Sequence, residues 1–328
     1  MSLHELTWFH PGLMDAAIRR GVEPVHELLG LPPGASLRTH SAGPDGLIIE
    51  GSKHWEYTHA LQRTGLPGDD GGRILDAGCG RSAFTAYLAH RGARVHGIDA
   101  DRAAVARLRP HRVRVVTGDL QALPYRDESF DRVFCISVLE HTRDPLRCFD
   151  ELWRVTRAGG ILTVTGDYAP WGFPPRTPAA GRVMDRTLLR RLVGSNDTLP
   201  EEPPHLLEGL GYFPQMWPTV LPVYLRFVKD APEPPRHESV APARERTDAS
   251  LDNPTLRRHV ARQCHRAARI YLSYDWIPEA RDLFARAWRL DRRLAAAAWG
   301  CLVRLPRPAL RAARRLRRAV APGAGART

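Results

Sequence analysis

A strand-like apolar run, Ile74-Leu75-Asp76-Ala77, ends in Gly78-Cys79-Gly80, and a helical pattern begins directly after it. Glycines in such a turn let the backbone approach a ligand closely, and the turn's amides suit a carboxylate or a phosphate. About 20 residues further on, a second apolar run ends in Gly97-Ile98-Asp99. A carboxylate at that edge can accept both hydroxyls of a ribose. Two ligands meet these requirements. Gly78-x-Gly80-x-x-Ala83 fits the relaxed dinucleotide fingerprint, which would make the chain an NAD enzyme. S-adenosylmethionine (SAM) is the other, and Asp76 favours it. A carboxylate just before the glycines receives the ammonium of a methionine moiety and repels a pyrophosphate.

Further blocks follow in order. After a third apolar run come Gly118-Asp119-Leu120, Leu123-Pro124 and Ser129-Phe130-Asp131-Arg132-Val133. Val138-Leu139-Glu140-His141 follows a fourth run, and Leu152-x-Arg154-Val155-x-Arg157-Ala158-Gly159-Gly160 precedes a fifth. Together with ILDAGCGRSAFTAYLAHRGARVHGIDAD, these strings resemble the class I SAM-dependent methyltransferases of the type 11 kind. Ala158 stands where that family usually has proline. The resemblance implies a Rossmann-like sheet and SAM as cofactor. Gly78 and Gly80 would line its methionine end, oriented by Asp76. Asp99 would hold the ribose, with Ala100 packing on the adenine. Asp119 would accept from the adenine amino group, the Leu120 amide would reach a ring nitrogen, and Ser137 would face the methionine or the acceptor. Residue types alone leave alternatives at two positions: Asp119 as a helix N-cap, and Ser137 as an ordinary strand-end hydroxyl.

A sulfonium methyl is already a good electrophile, so the protein must align a nucleophile with it and exclude water. If the acceptor is a hydroxyl, a nearby base helps. His141 is the candidate by position and by its ordinary pKa, with loop packing as its alternative role. Asp167 and Tyr168, after the fifth run, rank second. The chain lacks a DPPY-type motif after the fourth run and a Pro-Cys pair, which disfavours nucleic-acid substrates. Ubiquinone-pathway O-methyltransferases carry a metal-assisting Glu where this chain has Ser137, and His259, Cys264 and His265 lack zinc spacing, so no metal is expected. The expected reaction is methyl transfer to a small-molecule or glycan- or lipid-linked acceptor, at oxygen. N- or C-methylation of a metabolite, or a silent SAM-binding scaffold that recruits a partner, are the alternatives.

These residues need positioning elements. Arg73–Ala77, Arg94–Ile98, Val113–Thr117, Arg132–Ser137 and Gly160–Gly166 read as strands. Helices are expected over Ser82–Arg91, from Asp101, and over Pro145–Arg157. Strands spaced by helices predict an α/β parallel sheet covered on both faces. Val223–Val228 reads as a closing strand and Arg186–Val193 as a helix. Residues 1–60 read as a helical lid ending in Lys53-His54-Trp55-Glu56-Tyr57, where Trp55 and Tyr57 either cover the cofactor or pack a core. Residues 61–229 form the expected catalytic core, 230–253 a linker, and 254–328 a helical appendage with a basic tail.

The net charge of +12 is concentrated at one end. Residues 281–328 carry 13 of the 48 Lys and Arg side chains against Asp282 and Asp291 alone, a net +11, leaving +1 for the rest. The Arg-rich stretch holding Arg307, Arg311, Arg314, Arg315 and Arg318 reads as a basic amphipathic helix suited to an anionic membrane surface, or as a solvated end. Residues 268–293 resemble one tetratricopeptide-type helical pair, and the whole tail resembles the appendage of some bacterial family 2 glycosyltransferases, which implies envelope-glycan synthesis. Five unpaired-looking cysteines and no basic-then-apolar leader suggest a cytoplasmic setting, peripheral to the inner membrane surface if the tail binds it.

Overall fold

The computed structural model describes residues 2–9, 23–27, 30, 41–43, 45–49, 53–65, 72–168, 184–194, 199–200, 221–234, 254–273 and 277–291. The chain divides into two compact units, Met1–Glu245 and Arg246–Thr328.

The first unit runs β1 (Ser2–Trp8), a short ribbon of β2 (Ser41–Ala42) and β3 (Ile48–Ile49), α1 (Lys53–Thr64), β4 (Arg73–Ala77), α2 (Ala83–His90), β5 (Arg94–Asp99), α3 (Arg102–Ala106), β6 (Arg114–Thr117), β7 (Phe130–Ile136), α4 (Pro145–Val155), β8 (Thr156–Tyr168), α5 (Arg186–Val193) and β9 (Leu221–Val228). Seven strands form one sheet in the order β1-β9-β8-β7-β4-β5-β6. The five from β6 to β8 are parallel, and β9 is antiparallel to both β8 and β1. The chain moves outward from β4 to β6 and then returns to β7 on the other side. The crevice beyond the C-terminal ends of β4 and β7 is therefore the switch point where α/β sheets bind ligands.

Local chemistry sets the helix starts. Ser82 caps α2 by accepting from the Phe84 amide, and Asp101 caps α3 through Ala103 and Ala104. Asp144 caps α4 with Pro145 in its first turn, where the missing N–H costs nothing. Helices cover both faces of the sheet. Tyr224 and Phe227 in β9 are an odd number of residues apart and point oppositely. Tyr224 hydrogen-bonds Thr64 of α1, whereas Phe227 meets Phe149 of α4 with ring centroids 5.1 Å apart. The main core lies on the α4 side, built from Leu75, Val133, Cys135, Leu152, Trp153, Leu162 and Val164 among others.

Two expectations need correction. Residues 1–60 are not wholly helix and loop, because Ser2–Trp8 is an edge strand paired with β9. The fourth strand ends at Ile136 rather than Ser137, since Ser137 has a left-handed φ of 50°. Arg114–Thr117, Thr156–Tyr168 and Leu221–Val228 otherwise differ from the expected strands only at their ends.

In the second unit, α6 (Pro254–Ser273) and α7 (Ile277–Leu290) pack against each other. Val260, Ala261, Cys264 and Ala268 are buried, as are Ala280, Phe284 and Ala287 of α7. Trp288 of α7 is 40% exposed. The basic stretch holding Arg307 to Arg318 lies outside the described residues. Among those described, no helix is long and apolar enough to cross a membrane.

Candidate active site

After β4 the backbone turns with φ of 79° at Gly78 and 49° at Gly80. The amides of Gly78 and Cys79 both donate to the Ile98 carbonyl, at 2.7 and 3.1 Å, which clamps the turn to the end of β5. A Cβ at Gly78 would lie 2.3 Å from Val138 Cγ2, so only glycine lets the turn come this close to the segment after β7. Asp99, at the tip of β5 and half-buried, accepts from the Gly80 amide on Oδ2 at 2.9 Å and from the Asp101 amide on Oδ1 at 2.8 Å. Each oxygen keeps a second lone pair for a hydroxyl donor. Ala100, beside it, is exposed.

Asp76 lies under this turn. It is 3% exposed and accepts from Thr85 Oγ1. Burial pushes its carboxyl up to about 7; the Thr85 hydroxyl works against that shift and the Asp99 charge adds to it. A buried carboxylate with a raised pKa gains from a cationic ligand. After β6, the exposed Asp119 accepts from both the amide and the side-chain nitrogen of Gln121, which lowers its pKa. Its carboxylate thus shapes the local turn, while the Leu120 side chain is buried.

On the other side of the crevice, sequence reasoning missed most of the chemistry. The Ser137 amide donates to the Thr165 carbonyl and hydroxyl, both at 3.1 Å. The Ser137 hydroxyl donates to Glu56 Oε2 at 2.7 Å, and the Thr165 hydroxyl donates to the same oxygen. Lys53 Nζ bonds Glu56 Oε1 at 3.2 Å. Burial opposes the Lys53 charge, yet Glu56, Asp167 and Glu140 outweigh it and hold the ammonium protonated. Glu140 is 1% exposed; its Oε1 accepts from the Asp167 amide at 2.9 Å. Burial, with the Asp167 charge, raises the Glu140 pKa, and Lys53 pulls it back. Tyr57 stacks on Phe84 and shares a 2.8 Å hydrogen bond with Ser82, while Trp55 is fully buried against Phe9 and His59.

The structure therefore gathers Asp76, Gly78, Gly80, Asp99 and Ala100 at the tips of β4 and β5, with Ser137 across the crevice. His141 ends a 3-10 turn, Leu139–His141, and is exposed rather than inside the buried cluster. Lys53 and Glu56 went unassigned, although their i, i+3 spacing puts them on one helix face.

Residues 75–164 match the methyltransferase domain family. Over 165 residues the chain is 30% identical to a probable SAM-dependent methyltransferase of Mycolicibacterium smegmatis, covering 48% of this chain and 64% of that one. Over 102 residues it is 39% identical to a ubiquinone biosynthesis O-methyltransferase of Alkalilimnicola ehrlichii, covering 29% and 41%. Residues 75–164 therefore form a methyltransferase domain. The chain spans less than two thirds of the length of these curated relatives. Among solved structures, the [4+2]-cyclase SpnF is similar at 22% identity and a TM-score of 0.43, over 67% of this chain and 97% of that one. The matched methyltransferase block begins inside β4 and ends inside β8, so α1, with Lys53 and Glu56, lies outside it.

Proposed function

We infer that the protein transfers a methyl group from SAM to a hydroxyl of a small-molecule or glycan- or lipid-linked acceptor. The observation that carries the cofactor assignment is the pair of carboxylates flanking one glycine turn, Asp76 buried beneath it and Asp99 bonded to the Gly80 amide. The donor set fits SAM. Asp76 offers a desolvated carboxylate to an ammonium, Asp99 offers lone pairs to a ribose, and the missing Cβ at Gly78 lets the turn pack against Val138. A dinucleotide fits less well, because a pyrophosphate at this turn would meet the Asp76 charge.

When bound, SAM supplies an electrophilic methyl group. The chain's own residues do the rest: Asp76 and Asp99 fix the two ends of the ligand, Gly78 and Val138 close the gap between β4 and β7, and α1 shields the far side from water. Shielding matters because it strengthens every charge interaction inside the site. The buried carboxylates and hydroxyls beyond β7 favour an oxygen acceptor. Domain limits of 1–60 for the N-terminal segment, 61–229 for the core, 230–253 for a linker and 254–328 for the appendage complete the proposal.

Calorimetric titration with SAM, beside Asp99→Ala and an NAD control, tests the reading. Binding of SAM but not NAD, weakened at least about tenfold (about 1.4 kcal/mol) by Asp99→Ala, is the expected result. Binding of NAD without SAM would return the chain to the redox class. Methyl transfer from labelled SAM into cell extract then separates an enzyme from a silent scaffold.

A further inference from the structure

Of the 48 Lys and Arg side chains, only Lys53 and Lys229 are lysines. Lys229 serves the fold, donating to the Thr156 carbonyl at 2.8 Å. Lys53 sits instead amid carboxylates at the ends of β7 and β8, on the side of the crevice away from Asp99. Among the described residues its ammonium bonds Glu56 alone, which uses one of its three donors. Glu140 has the complementary deficit: Oε1 is anchored by the Asp167 amide, while Oε2 is buried without a hydrogen-bond partner among the described residues. Leaving such an acceptor unpaired is costly, and a ligand donor recovers that cost. A Cβ at Gly166 would lie 2.6 Å from Met184 Cε and 2.9 Å from Glu140 Oε2, so glycine there lets both side chains lie against β8.

The geometry points to Lys53 and Glu140 as the acceptor subsite for a neutral hydroxyl, with Lys53 donating to its oxygen and Glu140 Oε2 receiving its proton. This deepens the SAM-methyltransferase reading and rests on it. Charge sorts the acceptor classes. An anionic acceptor would meet Glu56, Glu140 and Asp167, and an ammonium would meet Lys53 and the sulfonium; a neutral hydroxyl satisfies the unmet donor and the unmet acceptor together. In the step, the acceptor oxygen bonds the methyl carbon as the carbon–sulfur bond breaks. The electron pair of that bond stays on sulfur, and the hydroxyl proton passes to Glu140. The products are a methyl ether, S-adenosylhomocysteine and a neutral Glu140, which reionises to solvent. The groups facing Glu140 are Asp167 from β8, Lys53 from α1 and the Cys135 thiol from β7.

The test uses the full chain and two ligands that need no acceptor. Sinefungin places an amine-bearing carbon where SAM has its methylated sulfur, whereas S-adenosylhomocysteine offers no donor there. Titration of wild type at about pH 8 should show sinefungin preferred at least tenfold, about 1.4 kcal/mol. The preference should fall toward about pH 6 as Glu140 takes up a proton. Glu140→Gln should abolish both the preference and its pH dependence while S-adenosylhomocysteine affinity changes less than about threefold. Lys53→Met removes the charge that holds the Glu140 pKa down, so the pH at which the preference disappears should move upward. An unchanged preference in Glu140→Gln, or an unmoved pH dependence in Lys53→Met, overturns this inference and leaves the methyltransferase reading intact. Failure of the wild type to bind S-adenosylhomocysteine overturns both.

Discussion

Asp76 carries a conflict between folding and ligand binding. Burial raises its carboxyl to about 7, well above the unfolded value near 3.8. A raised folded pKa means that its stabilising contribution is complete below about pH 4 and is lost as pH climbs through about 7. The ligand-free protein should therefore lose stability between about pH 5 and pH 8, by up to about 3 kcal/mol from this group. Glu140, also raised by burial, adds a slope of the same sign. Melting curves across that range should show a shallower decline in Asp76→Asn, which keeps an acceptor for Thr85, together with weaker SAM binding at high pH. Equal slopes for wild type and variant would remove Asp76 as the cause. Gly78 makes a steric counterpart. Gly78→Ala combines a left-handed φ with a Cβ 2.3 Å from Val138 Cγ2, so it should cost about 2 kcal/mol or more and abolish SAM binding. Chemical denaturation and calorimetry on the same variant measure the two effects.

The helix α1 is joined to the sheet by a buried ionic cluster, and that is a different kind of contact from apolar packing. Glu56 accepts from Lys53, Ser137 and Thr165 while fully buried. Removing one member leaves an uncompensated charge, so Glu56→Gln should destabilise by roughly 3 kcal/mol, and Lys53→Met should recover part of that in the double variant. Additive losses in the denaturation cycle would contradict coupling. The exposed Arg63–Glu5 pair also links α1 to β1 but contributes little at the surface. Element by element, the legibility of the fold followed period and punctuation. The strands β4 to β8 have apolar centres bounded by turns or helices, and β4 came out with its observed ends; so did α5, which Asp185 caps at its start and Gly194 ends. The strand β1 hid because its apolar residues Leu3, Leu6 and Trp8 do not alternate. The register shift between Leu3 and Glu5 explains this: the extra residue in the bulge returns Leu3 to the face shared by Leu6 and Trp8. The cofactor side of the site was legible because its glycines and acids are close in sequence. The acceptor side was not, since Glu56 meets Ser137 and Thr165 across 81 and 109 residues. Local spacing carries no trace of such contacts.

At the scale of the whole molecule, charge and fold are divided unequally. The first unit, Met1–Glu245, contains the sheet and every residue of the candidate site, and the basic residues are concentrated in 281–328. If the methyltransferase site is complete within the first unit, a chain ending at Glu245 should fold cooperatively and bind SAM with the affinity of the full chain. A loss of affinity beyond about tenfold would mean that the second unit contributes to the site. The tail then needs its own purpose, and an anionic membrane surface matches its chemistry. Arginines spaced along an amphipathic stretch each gain about 1 kcal/mol near such a surface, and the attraction weakens within a Debye length, about 10 Å at 0.1 M salt. Deleting residues 304–328 should leave SAM affinity unchanged while weakening sedimentation with phosphatidylserine or phosphatidylglycerol vesicles by more than about tenfold. Binding of the full chain to those vesicles should fall as salt rises and be absent for neutral phosphatidylcholine vesicles. Vesicle binding that survives the deletion would move the membrane contact away from the arginines and onto the folded units.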